Sequence, residues 1–163
     1  MLNSFKSALF ALLLVLSINA IAEPKVGYVQ MKTIMQSQQI LDIGKKLQNE
    51  FKPRNAELEK IDKQLAEKEA ALEKESASLS ATVLQNKRRD LQRQRLDLDR
   101  KRAKQHEDFE LRKREEINNF QNNINQTINN IGEKEGYDLI LFNTGAYIGP
   151  KVDITDKVLK QTK

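Results

Sequence analysis

The stretch that decides the fold runs from Leu47 to Thr82: LQNEFKPRNAELEKIDKQLAEKEAALEKESASLSAT. Phe51, Leu58, Leu65, Leu72 and Leu79 recur in it every seven residues, with Leu47 and Ile61 on the intervening seam. An α-helix turns once per 3.6 residues, so a seven-residue repeat holds one apolar stripe on one face, the pattern of a coiled coil. The companion stripe is broken, because Arg54, Lys68 and Glu75 stand where a zipper carries Leu or Ile. Pro53 offers no N–H to the carbonyl four residues earlier, which predicts a kink near Asn49.

The same stretch ends in SASLSAT, Ser76 to Thr82, where small hydroxyl residues cluster. Such residues end helices and cap new ones, so a turn is expected there. It falls close to residue 83, the midpoint of the helical region between two flanking strands, and arms of equal length folding back would bring those strands together. The competing arrangement is one continuous helix in a long parallel dimer.

Beyond the turn, Leu84, Leu91 and Leu98 keep the seven-residue spacing, and then Leu98, Phe109, Phe120 and Ile131 follow at eleven. That change of period relaxes a left-handed supercoil, so the arms are expected to splay or straighten. In INNFQNNINQTINNI, Ile117 to Ile131, the apolar residues share one face, but the Asn residues are poor helix formers and packing must hold this part. Gly132 and Gly136 suit the end of the helix.

At the N-terminal side, Lys25 to Gln30 (KVGYVQ) alternates with period two and reads as a strand containing Val26 and Tyr28. At the C-terminal side, Leu139, Ile140, Leu141 and Phe142 form an apolar run suited to a strand buried on both faces. A turn at Asn143 to Gly145, a weak third strand at Ala146 to Ile148 or Val152, and a last short helix capped by Asp153 to Asp156 and reaching Leu159 are expected after it. These pieces total about forty residues, too few to fold readily alone, so Val26, Tyr28 and the LILF strand are expected to form an oligomerisation core. The expected fold is mainly α with a small β body: a long antiparallel helical hairpin, arms 46–119, projecting from a body made of 23–45 and 120–163.

Lys6, the apolar run Ala8 to Ile18 and the pattern Ala20-Ile21-Ala22 make residues 1–22 a signal peptide, with cleavage after Ala22. The run is about half the length a membrane-spanning helix needs. A soluble, exported protein is therefore expected. The chain has no Cys, so packing alone must stabilise it. Charged residues make up 31% and aromatics 6%, a balance that favours long solvated helices.

The net charge of +5, or +4 without Lys6, favours acidic partners. Nucleic acid is excluded by the compartment, which leaves anionic lipid, lipopolysaccharide and acidic polypeptides. The most basic stretch contains Lys87, Arg88, Arg89, Arg93, Arg95, Arg100, Lys101, Arg102 and Lys104 against Asp90, Asp97 and Asp99. It reads either as ordinary solvated helix or as a positive field that gathers acidic clients and anionic surfaces. The stripe Phe51, Leu58, Leu65, Leu72 and Leu79 is read as packing against the second arm, with part of it free to face a cavity. His106 is the only histidine and stands beside carboxylates with no further metal ligands at suitable spacing. No nucleophile–base–orienter set is visible and no glycine lies in a GxxxxGK phosphate loop, so neither an enzyme nor a nucleotide or other cofactor is expected.

The strings VGYVQM (Val26 to Met31), LQNEF (Leu47 to Phe51), AELEKIDKQL (Ala56 to Leu65), YDLIL (Tyr137 to Leu141) and VDITDKVLKQTK (Val152 to Lys163) together resemble the Skp/OmpH family of periplasmic chaperones. The resemblance implies a homotrimer with a β body and helical hairpins surrounding a cavity, which holds unfolded outer-membrane β-barrel precursors without ATP. It also implies a lipopolysaccharide site to which Lys101 and Arg112 correspond, although Leu111 stands where that site has a further Arg. A different reading of the same residues is a structural envelope protein whose basic hairpin tethers anionic lipid surfaces and has no client.

Overall fold

A computed structural model describes residues 23–142 and 147–162. The signal peptide expected over 1–22, the turn at Asn143 to Gly145 and the start of the third strand at Ala146 lie outside the described residues. In chain order the elements are strand β1 (Val26–Val29), helix α1 (Met31–Met35), helix α2 (Gln38–Glu75), a short 3-10 turn (Ser76–Ser78), helix α3 (Ala81–Glu135), strand β2 (Leu139–Phe142) and helix α4 (Thr155–Gln161).

The two long helices fold back on one another, as the hairpin reading requires, and the parallel-dimer helix is set aside by the break at Ser76–Ser80. Ser76 Oγ and Ser78 Oγ donate to the carbonyls of Glu73 and Glu75, which ends α2. Ser80 then caps α3, its Oγ accepting from the N–H of Val83 at 3.4 Å. Pro53 lies inside α2, which runs unbroken through it. The carbonyl of Asn49 has no N–H to accept from there, and Asn49 is exposed, so water can supply the missing donor.

At the other end α3 stops at Gly136, whose φ of 66° is left-handed and needs no Cβ relief. Gly132 lies within the helix and contributes its carbonyl, which accepts from the N–H of Tyr137 at 3.0 Å.

β1 and β2 pair in parallel, with Val26 opposite Leu139 and Val29 opposite Phe142. The expected third strand reduces to a bridge: Tyr28 N–H donates to Val152 at 2.7 Å, and Ile154 N–H donates to Tyr28 at 2.9 Å. Tyr147 to Gly149 are not strand. Asp153 sets up α4 by accepting from both the N–H and the hydroxyl of Thr155, at 2.9 and 2.6 Å. The Thr155 hydroxyl oxygen in turn accepts from Gln30 N–H at 2.8 Å, which fixes α4 to the end of β1. Burial opposes ionisation of Asp153, but the bonds from Thr155 and Gln30 outweigh it and hold the carboxyl below its usual range.

The core sits in the body. Phe120, Ile124, Ile128 and Ile131 from α3 meet Val29, Ile34, Ile154 and Val158, with Met31, Ile40, Tyr137 and Leu159 packed around them. This packing holds the Asn-rich part of α3 helical despite its weak local propensity.

Within one chain the LILF strand is not buried on two faces. Ile140 is half-buried against the core, while Leu139, Leu141 and Phe142 are 49%, 40% and 54% exposed. The reason is topological: β1 covers one edge of β2, and no described element covers its other edge or its outer face.

Candidate functional site: the arm seam and the basic arm

The expected apolar stripe does line the inside of the hairpin, but unevenly. Phe51, Leu65 and Leu72 are buried, and Leu58 and Leu79 are half-buried. Leu65 and Leu98 form the best-sealed part of the arms, at 2% and 1% exposure. Phe51 meets Phe109 edge to face, with ring centroids 5.2 Å apart and planes at 86°, the orientation that sets a positive ring edge against a negative face. Between these two layers the change of period in α3 leaves a mismatch. Its apolar residues jump from Leu98 to Phe109, so Leu58 sits beside the polar Gln105 and lines an open groove of ≈ 520 Å³ with Phe51, Phe109 and His106.

The charged positions of the broken stripe are not gaps. Arg54 donates to Asp108 at 3.1 Å, Lys68 to Gln94 at 3.0 Å, and Lys87 of α3 to Glu75 at 3.2 Å. Each of these pairs is centred on residue 81, so the hairpin folds symmetrically about the start of α3. Long polar side chains reach past the apolar stripe and tie the arms together.

The densest tie surrounds Arg95. Its Nε and Nη2 donate to the two carboxylate oxygens of Glu69, each at 2.8 Å, and its Nη1 donates to Asp62 at 2.5 Å. Arg102 donates to the other oxygen of Asp62 at 2.9 Å. The bonds from Arg102 and then Arg95 hold the Asp62 carboxyl below its usual range, and the Arg95 bond does the same for Glu69. The two carboxylates reciprocally raise the pKa of Arg95, with Glu69 the larger influence. Nearer the body, Lys46 donates to Glu116 at 3.0 Å and, with Arg112, holds that carboxyl low.

The candidate contact residues thus divide. Arg95 is a clasp between the arms, and Lys87 is engaged with Glu75. Lys101 pairs with Asp97 at 2.8 Å, a bond that raises its pKa. Arg112 lies 3.5 Å from Glu50 and also contacts Glu115 and Glu116; burial opposes its charge, but the carboxylates outweigh it. Lys101 and Arg112 are about 16 Å apart along the helix axis, at 1.5 Å per residue, and each already has acidic neighbours. Arg88, Arg89 and Arg93 are exposed and make no ion pair or hydrogen bond among the described residues.

Asp62, Glu69 and Asp108 are the residues sequence reading missed. Reflecting the chain about the serine turn would have found them, because partners lie at mirrored positions. Among the described residues, no group of three or more His, Cys, Asp or Glu could hold a metal ion, and no helix is long and apolar enough to cross a membrane.

A family model described as outer membrane protein (OmpH-like) matches residues 25–161. The chain is 31% identical over 154 residues to a chaperone protein Skp from Pectobacterium atrosepticum, covering 93% of each. It is 30% identical to a chaperone protein Skp from Photorhabdus laumondii, covering 96% of each, and 32% identical to one from Salmonella typhimurium, covering 89% of this chain and 90% of that protein. The crystal structure of an OmpH-like outer membrane chaperone from Caulobacter crescentus CB15 matches with a TM-score of 0.76 at 19% identity, covering 85% of this chain and 83% of that one, and speaks to the fold. With the family pattern running from β1 to the end of α4, the chain belongs to the OmpH-like outer membrane protein family.

Proposed function

We propose that this chain is an ATP-independent periplasmic holdase that binds unfolded outer-membrane β-barrel proteins and prevents their aggregation in transit. The observation that carries the reading is the unfinished body at the root of a long hairpin. Leu139, Leu141 and Phe142 face outward on a strand with one open edge, which further copies of the chain would cover. Three copies joined there would set their arms side by side around a shared space. The arms offer open grooves floored by apolar groups such as Leu58 and Phe109, together with a surplus of unpaired arginines. Many weak contacts of this kind suit a partner that has no fixed shape. The chaperone relatives support the same reading.

Diluting an unfolded barrel protein from denaturant into buffer with this chain and no nucleotide tests it. Light scattering stays at baseline if the reading holds, and full aggregation at several-fold excess of the chain contradicts it.

Arg88, Arg89 and Arg93 favour a second reading, in which the returning arm rests on anionic lipid or lipopolysaccharide and serves as an envelope tether. These free cations serve that role better than Lys101 and Arg112, whose charges are already met by carboxylates.

A further inference from the structure

One segment of α3 departs from the rest of the arms. No charged residue lies between Glu116 and Glu133, in a chain that is 31% charged, and nine of the thirteen residues from Asn118 to Asn130 are Asn or Gln. One side of this segment is accounted for, since Phe120, Ile124, Ile128 and Ile131 fill the body core. The opposite side is not. Asn122, Gln126 and Asn130 recur at helical spacing on the face turned away from the core, and Asn119 continues that row at its edge, where it lines a groove with Gln39 and Ile43 of α2; all four are exposed, and their side-chain amides make no hydrogen bond among the described residues.

A solvated helix face does not require this choice. Elsewhere the arms use Lys, Arg and Glu on their outer faces, which form helix better than Asn and solvate at least as well. Nor does the face resemble a permanent contact between copies, which is enriched in apolar groups. What an uncharged field of primary amides does match is the peptide group. Each amide carries a donor pair and a carbonyl acceptor, the same complement as backbone, and lacks the charge that would attract or repel by sign. In a chain held unfolded, the groups present at every residue are unpaired N–H and C=O. Each exchange of an amide–water bond for an amide–peptide bond yields little net free energy, so contact is reversible and indifferent to sequence.

We infer that the amide face Asn119–Asn122–Gln126–Asn130, at the root of the returning arm, binds the exposed backbone of extended polypeptide. This rests on the holdase reading. It adds a sequence-independent contact at the root of the arms to the charge that acts along their length.

The test is a variant with Asn119, Asn122, Gln126 and Asn130 all changed to Ala, beside a second variant with the three Asn changed to Gln. Alanine favours the helix and touches no core residue, so the fold is kept, which circular dichroism verifies. Affinity for an unfolded barrel protein is measured by fluorescence anisotropy, and oligomeric state by sedimentation. The alanine variant is expected to bind about tenfold more weakly with its oligomer intact, while the Gln variant binds within about twofold of the parent. Unchanged affinity in the alanine variant overturns the inference while leaving the holdase reading in place. Dissociation of the oligomer overturns it by assigning the amides to contacts between copies. Failure of the parent chain itself to bind contradicts the holdase reading instead.

Discussion

Arg95 grips Glu69 through two parallel hydrogen bonds, both 2.8 Å, and so ties α3 to α2 one helical turn toward the tip from the Leu65–Leu98 layer. A planar guanidinium meets a carboxylate in this fork more specifically than an ammonium does, so Lys is a poor substitute at this position. The clasp is partly solvated, which makes it a device for register more than for bulk stability.

Arg95→Met keeps the length of the side chain and removes the fork. The expected result is a melting temperature lower by a few degrees at low salt, with the difference shrinking at about 1 M salt, where the parent pair is itself screened. Thermal unfolding followed by circular dichroism at the two salt concentrations checks this. A deficit that persists undiminished at high salt would mean that Arg95 acts through its aliphatic stem.

Acid should open the arms. The carboxyls of Asp62, Glu69 and Glu116 are held below their usual range in the folded chain. A depressed folded-state pKa contributes stability above the ordinary carboxylate range, near pH 4, and that contribution is lost as pH falls through the folded value. The chain has no Cys, so spin labels at Lys74→Cys and Arg88→Cys can report the distance between arms. That distance is expected to be constant from pH 8 to 5 and to broaden below about pH 4. An opening centred between pH 6 and 7 would point to a different group.

The body should fail before the arms do. Ile124 is fully buried in its core, so Ile124→Ala is expected to cost about 2–5 kcal/mol, whereas Leu111→Ala, at a half-exposed site on the arm, is expected to cost almost nothing. Gly27→Val would place a side chain where a Cβ alone already stands 3.1 Å from both Ile154 and Tyr137, and should destabilise the body by about 1–3 kcal/mol. Urea titration of the three variants ranks them, and equal midpoints for Ile124→Ala and Leu111→Ala would contradict the assignment of the core.

Phe142→Lys places a charge on the outer face of β2. Because Phe142 is 54% exposed in a single chain, the fold of that chain should tolerate the change, while any assembly through this strand should not. Size-exclusion chromatography is expected to show parent-like helix content at a smaller mass. An unchanged mass would place the contact between copies elsewhere.

The hairpin was legible because a seven-residue apolar repeat leaves few folding options, and because SASLSAT interrupts it near the middle. The direction of the buried α3 face was equally plain from Ile117 to Ile131. The cross-arm polar partners were not, because each depends on the register between arms, and register is set by the detailed turn. One residue more before Ser80 would give Arg54 and Arg95 different neighbours. The strand LILF carried the opposite lesson: its apolar run was read as buried on two sides, but a strand's sequence records all the surfaces it meets, including those no single chain supplies. In the candidate site, charge was visible from sequence, yet which arginines are free was not. Arg89 and Arg93 lie on other sides of α3 from Arg95, and Arg88, seven residues away on the same side, lies about two turns toward the tip, beyond the reach of Asp62 and Glu69.

The central claim is that several copies of this hairpin together hold one unfolded barrel chain. Sedimentation equilibrium of residues 23–163, alone and mixed with an unfolded barrel protein in nucleotide-free buffer, tests it most directly. The account predicts three copies alone and a complex of three copies with one client. A chain that sediments as a monomer, or a client that pellets without it, would contradict the account.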